Sequence, residues 1–134
     1  MEKIQSAFKA YGTNAVTVHP LDPRIVIPKS KGKKMTLKAA FIFLAPEVDP
    51  EKDRQIVSTP QVELTVVAAN NYAEAESVAV ELVNQGVEAV ELCGGFGNRG
   101  TGRIAEALAG KAVVGVVRFD SHPGLGGKSG DELF

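Results

Sequence analysis

The chain has 134 residues, 44% of them hydrophobic, and a formal net charge of −1 at pH 7. That length fits one domain with a core of its own, and no apolar run reaches membrane-spanning length. A single cysteine excludes an intrachain disulfide framework and a zinc site built from several cysteines. No charged-then-apolar leader stands at the start, so a cytoplasmic location without membrane partners is the expectation.

Charge is unevenly distributed. Residues 1–34 hold seven Lys/Arg against two acids, a net of +5, whereas residues 35–134 hold eight against fourteen, a net of −6. The acidic remainder argues against nucleic acid as the main partner. Lys29, Lys31, Lys33 and Lys34, with Pro20, Pro23 and Pro28 before them, read as a basic arm, either a solvated linker or a contact for an anionic surface. Met1 to Tyr11 has the composition of a helix, and Ile25 and Ile27 offer the arm a packing patch. Met35 would serve as a natural start, so two regions are expected: an appended arm over 1–34 and one α/β domain over 35–134.

Leu37 to Ala45 is a continuous apolar run, the pattern of a strand buried on both faces. Asp49-Pro50-Glu51 carries the signals of a helix start, and Pro60 would end that short helix. Val62 to Ala69 is a second strand. Asn71 followed by Glu74 resembles a capping box, Ala75, Val78, Ala79, Leu82 and Val83 share a helical face, and Gly86 suits the C′ position. A third strand covers Val87 to Cys93, a third helix about Thr101 to Ala109, and a fourth strand Ala112 to Phe119. Short connections with a helix each predict right-handed crossovers. The expected fold is α/β: a small open sheet of four parallel strands in order 2-1-3-4, flavodoxin-like or Rossmann-like, with three helices and a glycine-rich tail.

Two polar, glycine-rich loops then follow consecutive strands and should emerge at the carboxyl edge, where ligands bind. Gly95-Phe96-Gly97-Asn98-Arg99-Gly100 matches G-x-G-x-x-G between a strand and a helix, with Asp120 twenty residues on. However, it lies on the third strand of a single mononucleotide-sized half, which weakens a dinucleotide reading. Backbone amides over Gly94, Gly95, Phe96 and Gly97 suit a small anion, with Arg118 and Lys128 as cationic partners. The alternative is a tight turn whose glycines serve backbone geometry. Gly127-Lys128-Ser129 ends like a P-loop, but His122 stands where the first glycine is required and too few residues follow for the helix.

Cys93 and His122 follow adjacent strands. A thiol near an imidazole, with Asp120 to orient the ring, is the minimum for a cysteine nucleophile; alternatively Cys93 is a small buried hydrophobe and His122 a loop cap. Asp-x-His plus one cysteine does not make a metal site, and no cofactor is assigned. Arg118 shares strand parity with Asp120, suiting an ion pair or a substrate carboxylate.

From Leu37 to Phe134 the chain resembles an uncharacterised family of small prokaryotic proteins, a domain of unknown function. The resemblance rests on Ala40-Phe41-Ile42-Phe43, Glu91-Leu92-Cys93-Gly94-Gly95-Phe96-Gly97 and the string from Val117 to Asp131. It implies no catalytic assignment.

Three functions follow as expectations. One is a small-anion or metabolite-binding domain with its site at the carboxyl edge of the sheet. The second is a small enzyme using Cys93, His122 and Asp120. The third is an assembly protein without chemistry, most simply a homo-oligomer. The tail is expected to fold back over the carboxyl edge of the sheet, bringing His122 to Cys93 and the Gly94–Gly97 turn and burying Leu133 or Phe134, in this subunit or against another.

Overall fold

The computed structural model describes residues 36–134, and the basic arm expected over 1–34 lies outside them. The elements are β1 (Leu37–Leu44), β2 (Arg54–Ser58), β3 (Val62–Ala69), α1 (Tyr72–Asn84), β4 (Ala89–Leu92), α2 (Asn98–Leu108) and β5 (Val113–Val116). The strands form one sheet in the order β2-β3-β1-β4-β5. β1 lies parallel to β3 and β4, and β4 parallel to β5, whereas β2 runs antiparallel to β3.

The fold is α/β, and the four expected parallel strands occur in the expected order. Two features differ: the sheet is mixed and five-stranded, and the described residues form two α-helices, not three. The helix expected after Asp49 is where they part. Asp49 does start a turn, with the amides of Lys52 and Asp53 donating to its carbonyl at 3.0 and 2.7 Å. One turn later the chain straightens, and Arg54-Gln55-Ile56-Val57-Ser58 pairs with Ser58↔Glu63 to Arg54↔Val67 on β3. The β-branched pair Ile56-Val57 favours strand, and the free edge of β3 supplies the hydrogen bonds. Pro60 therefore sits in a hairpin turn, closed by Thr59, whose hydroxyl accepts from Val62 N at 2.9 Å.

α1 follows its sequence signals more closely. The Asn71 side chain accepts from Glu74 N at 2.9 Å, although Glu74 reaches back to Asn70 N rather than to Asn71. Gly86, at φ +101°, follows the C-cap in a conformation that side chains disfavour. Alternate strand residues Ala40, Ile42, Val67, Ala69, Val90 and Leu92 meet Ala75, Val78, Ala79 and Leu82 of α1 and Ile104 and Leu108 of α2 in one core. Both helices connect strands that step across the sheet in the same direction, so right-handed crossovers place them on the same face. A helix between β1 and β3 would have stepped the other way, onto the opposite face. Because β2 stands in its place, neither helix covers that side.

Within α2, a Cβ on Gly102 would meet nothing within 4 Å. Gly102→Ala is therefore expected to stabilise the domain by about 1 kcal/mol through helix propensity. Chemical denaturation checks this, and an unchanged or lower midpoint would contradict it.

Candidate functional site

β1 and β4 are neighbours, and the connections leaving their carboxyl ends diverge, one towards β2 and β3, the other towards β5. Such a switch point opens a crevice where open α/β sheets bind ligands. The backbone here is held close together. Cys93 N donates to Ile42 O at 3.0 Å, while Cys93 Sγ accepts from Leu44 N at 3.4 Å and Gly95 N at 3.3 Å. A cavity of about 330 Å³ occupies this point, walled on the sheet side by Phe43 to Pro46, Cys93 and Gly95. The tail supplies the rest of the wall, through His122, Gly124, Leu125 and Phe134. The lining is apolar except for the Cys93 thiol, the His122 ring and backbone.

His122 is fixed in orientation. Its Nδ1 accepts from Gly124 N at 3.1 Å, which leaves the proton of the neutral ring on Nε2. Phe119 packs edge-on against the ring at 4.9 Å. Phe119 itself lies over Gly94, where an added Cβ would collide with the phenyl ring.

The tail docks through α2. Gly97 is the N-cap of that helix and offers no side-chain acceptor, so its first amides need a partner from elsewhere. Asp131 provides it. One carboxylate oxygen accepts from Arg99 N at 2.9 Å, and the other accepts from Arg99 N and Gly100 N at 3.1 Å each. An N-cap aspartate serves the same N2 and N3 amides from its own helix end, whereas this one stands 31 residues away from Gly100. Tyr72 completes the joint, donating its hydroxyl to Asp131 at 3.0 Å and accepting from Gly97 N at 2.9 Å. Its ring stacks on Phe96 at 5.4 Å and meets Phe134 at 5.5 Å.

The glycines of the G-x-G-x-x-G string are spent on this docking. A Cβ at Gly97 would strike the Asp131 carboxylate, at Gly100 the Tyr72 ring, and at Gly130 the Gly95 carbonyl oxygen. The loop amides are likewise engaged within the chain: Gly95 with Cys93 Sγ, Phe96 with Cys93 O, Gly97 with Tyr72.

Burial pushes the Tyr72 phenol up to about 12, reinforced by the adjacent Asp131 carboxylate. For Asp131, burial works against ionisation, but the amides of Arg99 and Gly100 and the Tyr72 hydroxyl together hold its pKa below the ordinary value.

The structure brings together part of the residue set expected from sequence. Cys93 and His122 share the crevice, and Gly95 lines it. Asp120 does not join them. It is exposed, pairs with Arg118 at 2.9 Å, and with Arg118 borders a separate cavity of about 160 Å³ that also touches Phe96, Gly97, Thr101 and Ser129. Lys128 is exposed, its carbonyl accepting from His122 N at 3.0 Å. Leu133 and Phe134 remain 49% and 41% exposed, although Phe134 rests on Tyr72. Among the described residues no three His, Cys, Asp or Glu side chains converge as metal ligands, and no helix is long and apolar enough to cross a membrane.

Residues 37–132 match a family of unknown function, DUF6506. The chain belongs to that family. No curated protein and no solved structure matches it significantly. The DUF6506 match runs from β1 through the tail turn that carries Asp131, so it includes every wall residue of the crevice except Phe134.

Tyr72 and Asp131 escape the sequence reading. One signal bears on Asp131 and none on Tyr72: a helix opening on Gly97-Asn98-Arg99-Gly100 lacks a capping acceptor at its N-cap, and the tail holds two aspartates, Asp120 and Asp131.

Because the Asp131 pKa is lower folded than unfolded, its contribution is complete above the ordinary Asp value of 3.8 and is lost as pH falls through the folded value. The amide resonances of Arg99 and Gly100 are therefore expected to titrate together with a midpoint below 3.8. Two-dimensional NMR reads this, and a midpoint at or above that value would refute the cap.

Proposed function

We propose that this DUF6506 domain binds a small, mainly apolar metabolite in the crevice between the carboxyl ends of β1 and β4, beneath the tail. The observation that carries this reading is the coincidence of the cavity with the topological switch point. At about 330 Å³ it lies at the small end of metabolite sites. Its polar side chains suit a ligand with one acceptor, such as a carbonyl or carboxylate oxygen, facing His122 Nε2–H, and an apolar body against Phe43, Leu44 and Leu125. For the small-anion form of the reading, Arg118 and Lys128 remain cations at the same edge. The Gly95, Phe96 and Gly97 amides would first have to give up their present partners.

The catalytic alternative draws on Cys93 and His122 alone. With Nδ1 accepting from Gly124, the neutral His122 ring meets a ligand as a hydrogen-bond donor through Nε2, while Asp120 is committed to Arg118.

Screening small carbonyl and carboxylate compounds by thermal shift tests the binding reading. A ligand at about a hundred times its Kd stabilises by ~2.7 kcal/mol, which raises Tm by on the order of 10 °C in a domain this size. Ala45→Leu, which intrudes on the crevice, should abolish the shift. Stabilisation that survives this substitution, or none by any compound, would refute the reading.

Self-association is a separate proposal, supported by the edge strand β5, where Val113 is 71% and the following Val117 50% exposed. Sedimentation velocity is expected to show a species larger than the monomer, and Val113→Lys is expected to dissociate it. A monomer at high concentration would refute it.

A further inference from the structure

Beyond Val117, whose amide donates to Leu92 O at 3.0 Å, the tail hangs from a single group. Among the described residues, every hydrogen bond between residues 118–134 and the rest of the domain ends on the Asp131 carboxylate: from Arg99 N, Gly100 N and Tyr72 Oη. Among the described residues, the ion pair of the tail, Arg118 with Asp120, is internal to it. So are its other polar contacts. His122 N donates to Lys128 O, Leu125 N and Gly127 N to His122 O, and Ser121 Oγ to Gly127 O. Ser129 and Glu132 cap each other's turn. Within the described residues the tail is thus two self-bonded units on an exposed connector, Arg118-Phe119-Asp120, held down by one carboxylate and by packing of Phe119, Gly130 and Phe134.

We propose that the tail is a hinged cover over the β1/β4 crevice, with Asp131 as its latch and the connector after Val117 as its hinge. This inference rests on the crevice being the binding site and concerns how that site is reached. His122, Gly124, Leu125 and Phe134 line the crevice from the tail, so lifting the tail removes one wall and the His122 donor together. The ligand gains access when Asp131 leaves the α2 amides, and the site is complete only when it returns. Binding beneath the cover and latching by Asp131 then favour the same closed state.

Cys93, the only cysteine in the chain, lies under the cover and reports its opening without any ligand. The test is carbamidomethylation of the full chain by iodoacetamide, followed by intact mass. Asp131→Ala is expected to speed the modification of Cys93 at least tenfold. Asp131→Asn, which keeps a capping acceptor, should restore most of the wild-type rate, and Tyr72→Phe should give an intermediate increase. Hydrogen exchange in β1 and β3 verifies that the sheet stays folded in each variant. A rate in Asp131→Ala within twofold of wild type, with the sheet folded, would overturn the proposal. If Asp131→Ala fails to fold, Tyr72→Phe decides: a rate within twofold of wild type overturns the latch and a faster one supports it. Because no ligand enters this assay, failure of the metabolite screen leaves its outcome intact. Conversely, a positive screen combined with unaltered thiol rates would retain the site and remove the cover.

Discussion

A helix whose amino end lacks a capping side chain is the constraint on which the candidate site depends. α2 opens on glycine, and its first amides turn to an aspartate from the far end of the domain. Helix formation leaves those donors orphaned, and the positive end of the helix dipole favours a carboxylate there. Supplying the acceptor from the tail joins two unrelated requirements. The helix gains its cap only when the tail is docked, and the tail is docked largely because the helix needs a cap. Tyr72, at the start of α1, ties a third element into the same joint and places an apolar ring stack beneath it.

The same joint explains the glycine-rich turn. A G-x-G-x-x-G string after a strand invites a phosphate, because bare amides and a helix end converge there. In this domain the space beside those glycines is filled from within. Asp131 lies on Gly97 and Tyr72 on Gly100, and Phe119 lies on Gly94 just before the string. The string mainly serves close packing of protein on protein, and the space left open beside it is the small cavity at Phe96 and Gly97 and, at Gly95, the crevice at the switch between β1 and β4.

Legibility in the sequence follows the range of the forces involved. Val62–Ala69 and the helix after Asn71 are readable because local caps and periodicity agree with the final packing. β2 is not, because the Asp-Pro-Glu signal governs one turn only, and the strand that follows gains its hydrogen bonds from β3. Cys93 and His122 are legible as lining one crevice because each lies beyond the carboxyl end of one of two adjacent strands. Asp120 is misleading: two residues before His122, it turns to Arg118 and away from the crevice. Asp131 is the hardest to see. Its partners lie 31, 32 and 59 residues away, and no local pattern marks an aspartate that will cap another element's helix.

The near-contact of Gly130 with the Gly95 carbonyl has a consequence for how such a chain changes over generations. No side chain at position 130 can be accommodated while the Gly95 backbone keeps its place, and backbone cannot be trimmed by substitution elsewhere. The Gly94–Phe119 approach is softer, since a larger residue at the glycine can be offset by a smaller ring partner. The turn after β4 and the tail are therefore bound into one hereditary unit. Position 94 can exchange volume with 119, whereas Tyr72 is held by its hydroxyl bonds to Asp131 and Gly97, and position 130 stays glycine whichever residue supplies the carbonyl at 95.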